Sequence, residues 1–179
     1  SLLSFTGSDE VGWTMKANAG RKKVVLELGG NAAVIVDAGA DVEVAAERVA
    51  SGGFSYAGQS CISVQRVYVH AAVWDAFTHT LLDKVRALQV GDPMDERTRV
   101  GPLISPGDVE RIEAWTREAV AAGATVLLGG TRQSDRIFPP TVLAGVPRDA
   151  KIWAAEAFAP VVVLERVDDV DEAFEAVND

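Results

Sequence analysis

Cys61 is the only cysteine among 179 residues, and it lies in "YAGQSCIS", Tyr56 to Ser63. A lone cysteine in an acidic chain is ordinarily a small buried hydrophobe. Core cysteines sit among Val, Ile and Leu, whereas this one follows Gly58, Gln59 and Ser60, which are small or polar and leave the sulfur approachable. A thiolate nucleophile needs access and a positive or dipolar environment. Gly58 lets backbone come close, and the N–H of Cys61 could hold an oxyanion.

Three further stretches carry groups that could serve such a nucleophile. Glu27 stands in "VVLELGG", just before Gly29 and Gly30. A charged residue on an alternating strand usually points to solvent. A strand entering a Gly-Gly turn can instead aim its carboxylate into a pocket, where desolvation suits it to general-base work. In "SFTGSDEVG", Gly7 and Ser8 stand at a strand-to-helix junction, and helix N-termini attract phosphate. A plain helix cap explains Ser8 equally well, and no G-x-G-x-x-G dinucleotide fingerprint occurs. In "EAFAPV", Glu156 could hold a ribose hydroxyl pair by two charge-assisted hydrogen bonds, or be a solvated loop glutamate. His70 and His79 have no Cys or carboxylate cluster beside them, so no metal site is expected.

The elements that must position these groups alternate along the chain. Residues 1–5 end a short strand, and Ser8 caps a helix over 9–19 that stops at Gly20. "KVVLEL" and "AAVIV" are strand-like runs flanking Gly29-Gly30. Asp41 caps a helix, residues 66–70 form a strand, and Val73, Phe77, Leu81, Val85 and Leu88 mark a helix over 72–88. "GDPMDERTRVGPLIS" is a loop without period. Ser105-Pro106 opens a helix that ends at Gly123. "TVLLGG", "TVLAG" and "PVVVLERV" are strands, and a last helix starts near Asp169. The order predicts an α/β fold with a mostly parallel sheet flanked by helices.

Composition narrows the function classes. With 48% hydrophobic residues the chain can bury a sizeable core, and a net charge of −9 argues against nucleic acid or an anionic membrane as partner. No apolar run approaches the ~20 residues that span a bilayer. Ser1-Leu2-Leu3-Ser4 has neither the basic nor the apolar segment of a secretory signal. A single cysteine forms no internal disulfide, which suits a reducing, cytoplasmic setting.

Taken in order, "SFTGS", "LELGGN", "GQSC", "GDPMDERTRVGPLIS" and "EAFAPV" resemble the aldehyde dehydrogenase superfamily over essentially the whole chain. The resemblance implies that Cys61 is the nucleophile and Glu27 the general base. It implies that Gly7, Ser8, Leu28 and Gly29 lie against an NAD or NADP cofactor. It further implies that Glu156 binds the nicotinamide ribose and that Phe158 borders the nicotinamide. Ala155 and Ala159 stand where the usual E-E-x-F-G-P motif has glutamate and glycine. The implied reaction takes a small aldehyde to a carboxylic acid through a thiohemiacetal and a thioester, in a homo-oligomer. Family members are much longer. Residues 1–28 then correspond to the last part of the cofactor-binding domain and residues 29–179 to the catalytic domain, so the isolated chain is expected to be inactive. Two other readings stay open: a non-catalytic α/β module derived from such an enzyme, and a cysteine hydrolase. The second leaves Glu27 and its Gly-Gly turn unexplained.

Overall fold

The computed structural model describes residues 1–178. The chain divides into two compact units, one of Ser1–Gly30 and one beginning at Asn31. The first is a β–α–β unit: β1 (Leu2–Thr6), α1 (Asp9–Ala17) and β2 (Lys23–Glu27), with β1 and β2 paired in parallel from Leu2↔Lys23 to Thr6↔Glu27. Both strands alternate exposed and half-buried residues. That period turns Leu3, Phe5, Val24 and Leu26 inward and leaves Leu2 and Val25 exposed. A Cβ on Gly12 of α1 would collide with the Leu28 side chain, so glycine there lets the helix seat against that residue. The helix stops at Ala17 rather than at residue 19. Asn18 ends it by donating its side-chain amide to the Thr14 carbonyl at 2.8 Å, and Gly20 takes φ +61° to reverse the chain.

The second unit is built on a five-stranded sheet in the order β3-β4-β7-β6-β5. Its strands are β3 (Ala32–Val36), β4 (Val64–His70), β5 (Thr125–Leu128), β6 (Thr141–Ala144) and β7 (Val161–Val167). All neighbours pair in parallel except β5 and β6. Central β7 opens with four buried residues, Val161–Leu164, as expected of a strand covered on both faces. Burying each such side chain is favourable by roughly 1.5–3 kcal/mol before chain entropy is subtracted. The helices are α2 (Val42–Phe54), α3 (Trp74–Arg86), α4 (Pro106–Ala121), α5 (Lys151–Ala154) and α6 (Val170–Val177). Asp41, Ser105 and Asp169 cap α2, α4 and α6 with their side chains. Helix α3 is shorter than its apolar period, because the residue 73 backbone is non-helical and Ala72 N–H is taken by His70 Nδ1 at 3.1 Å. Tyr68 of β4 meets Trp153 edge-on at 5.8 Å. Burial holds the Tyr68 phenol above its ordinary pKa, so it stays neutral and donates to the Ala176 carbonyl at 3.0 Å. No helix among the described residues is long and apolar enough to cross a membrane.

Candidate active site

Cys61 lies on the loop between α2 and β4, with its side chain exposed. Helix α2 ends at Phe54, and the chain then turns through a 3₁₀ segment, Ser55–Gly58. Tyr56, Ala57 and Gly58 take φ of 53°, 56° and 68° in succession. Left-handed backbone is unfavourable for Tyr and Ala by roughly 1–2 kcal/mol each, so the surroundings must enforce it. Ala57 is fully buried while Tyr56 is 83% exposed, so the buried methyl anchors the turn. Gly58 lies so close to the 159–160 backbone that a Cβ would run into the Ala159 carbonyl. Gly58→Ala therefore combines a left-handed alanine with a backbone clash. It should lower stability by about 2–4 kcal/mol in urea unfolding, against near-neutral substitution at exposed Ile62.

Gln59 braces the same loop from the other side. Its Nε2 donates to the carbonyls of Tyr56 at 3.2 Å and Pro102 at 3.3 Å, and its Oε1 accepts from Ile104 N–H at 2.9 Å. Ser63 N–H donates to the Ser60 carbonyl at 3.0 Å, closing a turn around the cysteine. The Cys61 N–H donates to nothing among the described residues, so it is available to an oxyanion. An open cleft of about 740 Å³ borders the loop at Ser55, Tyr56, Gln59, Arg99, Pro102 and Ile104.

The loop after α5 carries the other residues singled out in this unit. Glu156 and Phe158 are half-buried, and Phe158 takes φ 46°. Two side chains that sequence reading missed hold this loop. Buried Gln65 donates Nε2 to the carbonyls of Ala155 at 2.6 Å and Ile152 at 3.3 Å, and accepts from Ala157 N–H at 2.8 Å. Arg111 donates to the Ala157 carbonyl at 3.0 Å while its guanidinium lies over Trp115. Gln65 gave no local signal, since the polar pair Gln65-Arg66 reads as an ordinary strand edge ahead of Val67. Gly58 against Ala159 completes the connection, so the cysteine loop and the Glu156 loop touch within this unit.

In the first unit, Gly7 follows β1 and its N–H donates to the Glu27 carbonyl at 3.1 Å. Its glycine requirement has a local cause, since a Cβ would meet the Phe5 ring at 3.1 Å or less. Ser8 is the N-cap residue of α1, yet its side chain makes no capping bond. Asp9 and Glu10 fill the first turn and oppose a phosphate there, which leaves the Ser8 hydroxyl suited to a neutral partner. The Glu27 side chain is exposed at the end of β2. Leu28 and Gly29 follow it out of the sheet. Among the described residues no group of three or more His, Cys, Asp or Glu could hold a metal ion.

Known proteins share this fold. The aldehyde dehydrogenase family model matches residues 1–179. The 3-sulfolactaldehyde dehydrogenase of Priestia megaterium is 45% identical over 179 residues, covering 100% of this chain and 37% of that protein. Aldehyde dehydrogenase 21 from Physcomitrella patens, solved with its reaction product succinate, superposes with a TM-score of 0.95 at 45% identity, over 99% of this chain and 37% of that one. The glyceraldehyde-3-phosphate dehydrogenase GapN of Methanocaldococcus jannaschii, complexed with NADP, has a TM-score of 0.91 at 41% identity, over 96% and 37%. The chain thus spans little more than a third of the length of these relatives.

Proposed function

The chain belongs to the aldehyde dehydrogenase family, and on that premise we propose that it is part of a longer enzyme that oxidises a small aldehyde to a carboxylic acid with NAD or NADP. The observation that carries the reading is the exposed Cys61 on a doubly braced loop, with its own N–H unengaged. Cys61 as thiolate bonds to the aldehyde carbon, and the carbonyl electron pair moves onto oxygen, where the Cys61 N–H donates to it. The nicotinamide, when bound, supplies the hydride acceptor for this thiohemiacetal. Glu27 then takes a proton from water while the water oxygen bonds to the thioester carbon and the C–S bond breaks. The acid leaves and the Cys61 thiolate is restored. Glu27 as base favours water over a thiol as acyl acceptor.

The residues present suit the nicotinamide half of the cofactor. Glu156 sits between two anchored backbone groups, and its carboxylate would accept from the ribose hydroxyl pair. Phe158 would border the ring, and Gly7, Leu28, Gly29 and Ser8, whose hydroxyl makes no capping bond, would lie against the cofactor. Residues 1–28 act as the end of the cofactor-binding domain and residues 29–179 as the catalytic domain. The enzyme works in the cytoplasm as a homo-oligomer.

The test follows reduced-cofactor formation and acid product with small aldehydes, for the full-length enzyme carrying this segment and for residues 1–179 alone. The full-length enzyme should give one acid per reduced cofactor. The short chain should give neither turnover nor calorimetrically detectable NAD binding, because small misplacements of reacting groups cost orders of magnitude. Failure of the full-length enzyme on every aldehyde, or turnover by the short chain, overturns the reading.

A further inference from the structure

We infer that Gln65 is a positioning residue of the cofactor site, holding Glu156 and Phe158 in register with the nucleophile loop. The inference rests on the assignment of Glu156 to the nicotinamide ribose made above. Gln65 lies four residues after Cys61, near the start of β4, and is only 4% exposed. A buried primary amide is expensive unless its donors and acceptor find partners. Here both ends are used, and every partner lies in residues 152–157. Nε2 reaches the Ile152 and Ala155 carbonyls, two acceptors at the C-terminal end of α5. Oε1 takes the Ala157 N–H, so the bonds to residues 155 and 157 straddle Glu156. Asn31 adds a second amide by donating to the Trp153 carbonyl at 2.6 Å. A helix of only four residues has no length to be stable alone and no glycine to end it. Its end is instead set by two side-chain amides, and the one that also takes the Ala157 N–H comes from the strand that leads away from Cys61.

That connection explains why Gln65 is buried among Val67, Tyr68 and Val69 of the same strand. An apolar residue would fill the space but leave three backbone groups without partners and let the loop choose its own register. A carboxylate that must meet two ribose hydroxyls, and a ring that must border the nicotinamide, tolerate little such freedom. Arg111 adds only a contact to the Ala157 carbonyl, so it supports the loop without setting the direction of Glu156.

The experiment uses the full-length enzyme and two variants. Gln65→Met keeps length and loses all three bonds; Gln65→Glu keeps the acceptor for Ala157 N–H and loses the donors. Three readouts are compared with those of Glu156→Gln and of the double variants: hydrogen exchange at residues 155–159 without cofactor, affinity for NADH by fluorescence titration, and hydrolysis of p-nitrophenyl acetate. The last requires Cys61 to be acylated and deacylated but no hydride transfer. Gln65→Met should speed exchange at 155–159, weaken NADH binding and slow the hydride step by about 10²-fold, and leave ester hydrolysis within a few-fold. Its effect on NADH affinity should largely vanish in the Glu156→Gln background. Unaltered NADH affinity in both variants, or losses that simply add to that of Glu156→Gln, overturn the inference while leaving the ribose assignment standing. An unaltered affinity in Glu156→Gln alone overturns the ribose assignment, and the inference with it. Should the methionine variant not fold, Gln65→Glu carries the same comparison.

Discussion

Cys61→Ser should abolish aldehyde oxidation by the full-length enzyme, with kcat/KM falling by about 10⁴–10⁶-fold. A thiol forms its anion near neutral pH, whereas a serine hydroxyl needs a strong base against it. The Cys61 side chain is exposed, so its replacement removes chemistry and little packing. Thermal unfolding and NADH affinity should therefore stay near the unsubstituted values while turnover disappears. Iodoacetamide provides the parallel measurement. One equivalent on Cys61 should inactivate in step with labelling, and saturating aldehyde should slow both. A serine variant retaining a tenth of the activity, or full activity after complete labelling, would remove Cys61 from the nucleophile's role.

The parts of this fold that were legible are those whose causes lie close in sequence. Asp41 and Val44, Ser105 and Asp108, and Asp169 and Asp171 make their capping contacts within three residues, so helices α2, α4 and α6 announced their starts. The apolar runs of β3 and β7 were equally plain. Helix α5 was missed because four residues show no period, and because the amides that end it come from Gln65 and Asn31, 87 and 122 residues away. The left-handed turn at Tyr56-Ala57 was invisible for a related reason. Neither residue type prefers that conformation, and burial of Ala57 against the core enforces it. At the site, the small and polar neighbours of Cys61 foretold its exposure. The braces did not show, since Gln59 finds Ile104 and Gln65 finds Ala157 only once the chain is folded. A glutamine's partners are written nowhere near it.

Glu27→Gln should separate the two halves of the reaction in the full-length enzyme. Glutamine keeps the size of the side chain and can still orient a water, but it cannot take a proton from one. Attack by Cys61 and hydride loss need no base at Glu27, so the first turnover should still release about one equivalent of reduced cofactor per site. Deacylation should fall by about 10²–10⁴-fold, the usual contribution of a placed general base. The time course would then show a burst followed by a nearly flat steady state, and the acyl-enzyme should be trapped as a mass increase on the Cys61 peptide. The setting of Glu27 makes the substitution clean. It ends β2 with its backbone committed to pairing with Thr6 and to accepting from Gly7 N–H, and its side chain is exposed. Neither bond involves the carboxylate, so glutamine should leave the strand and its turn unchanged. Hydroxylamine, a strong nucleophile that needs no base, should restore turnover of the trapped acyl group. A steady state equal to that of the unsubstituted enzyme would reject Glu27 as the base. Loss of the burst along with the steady state would move Glu27 to the step before the thioester.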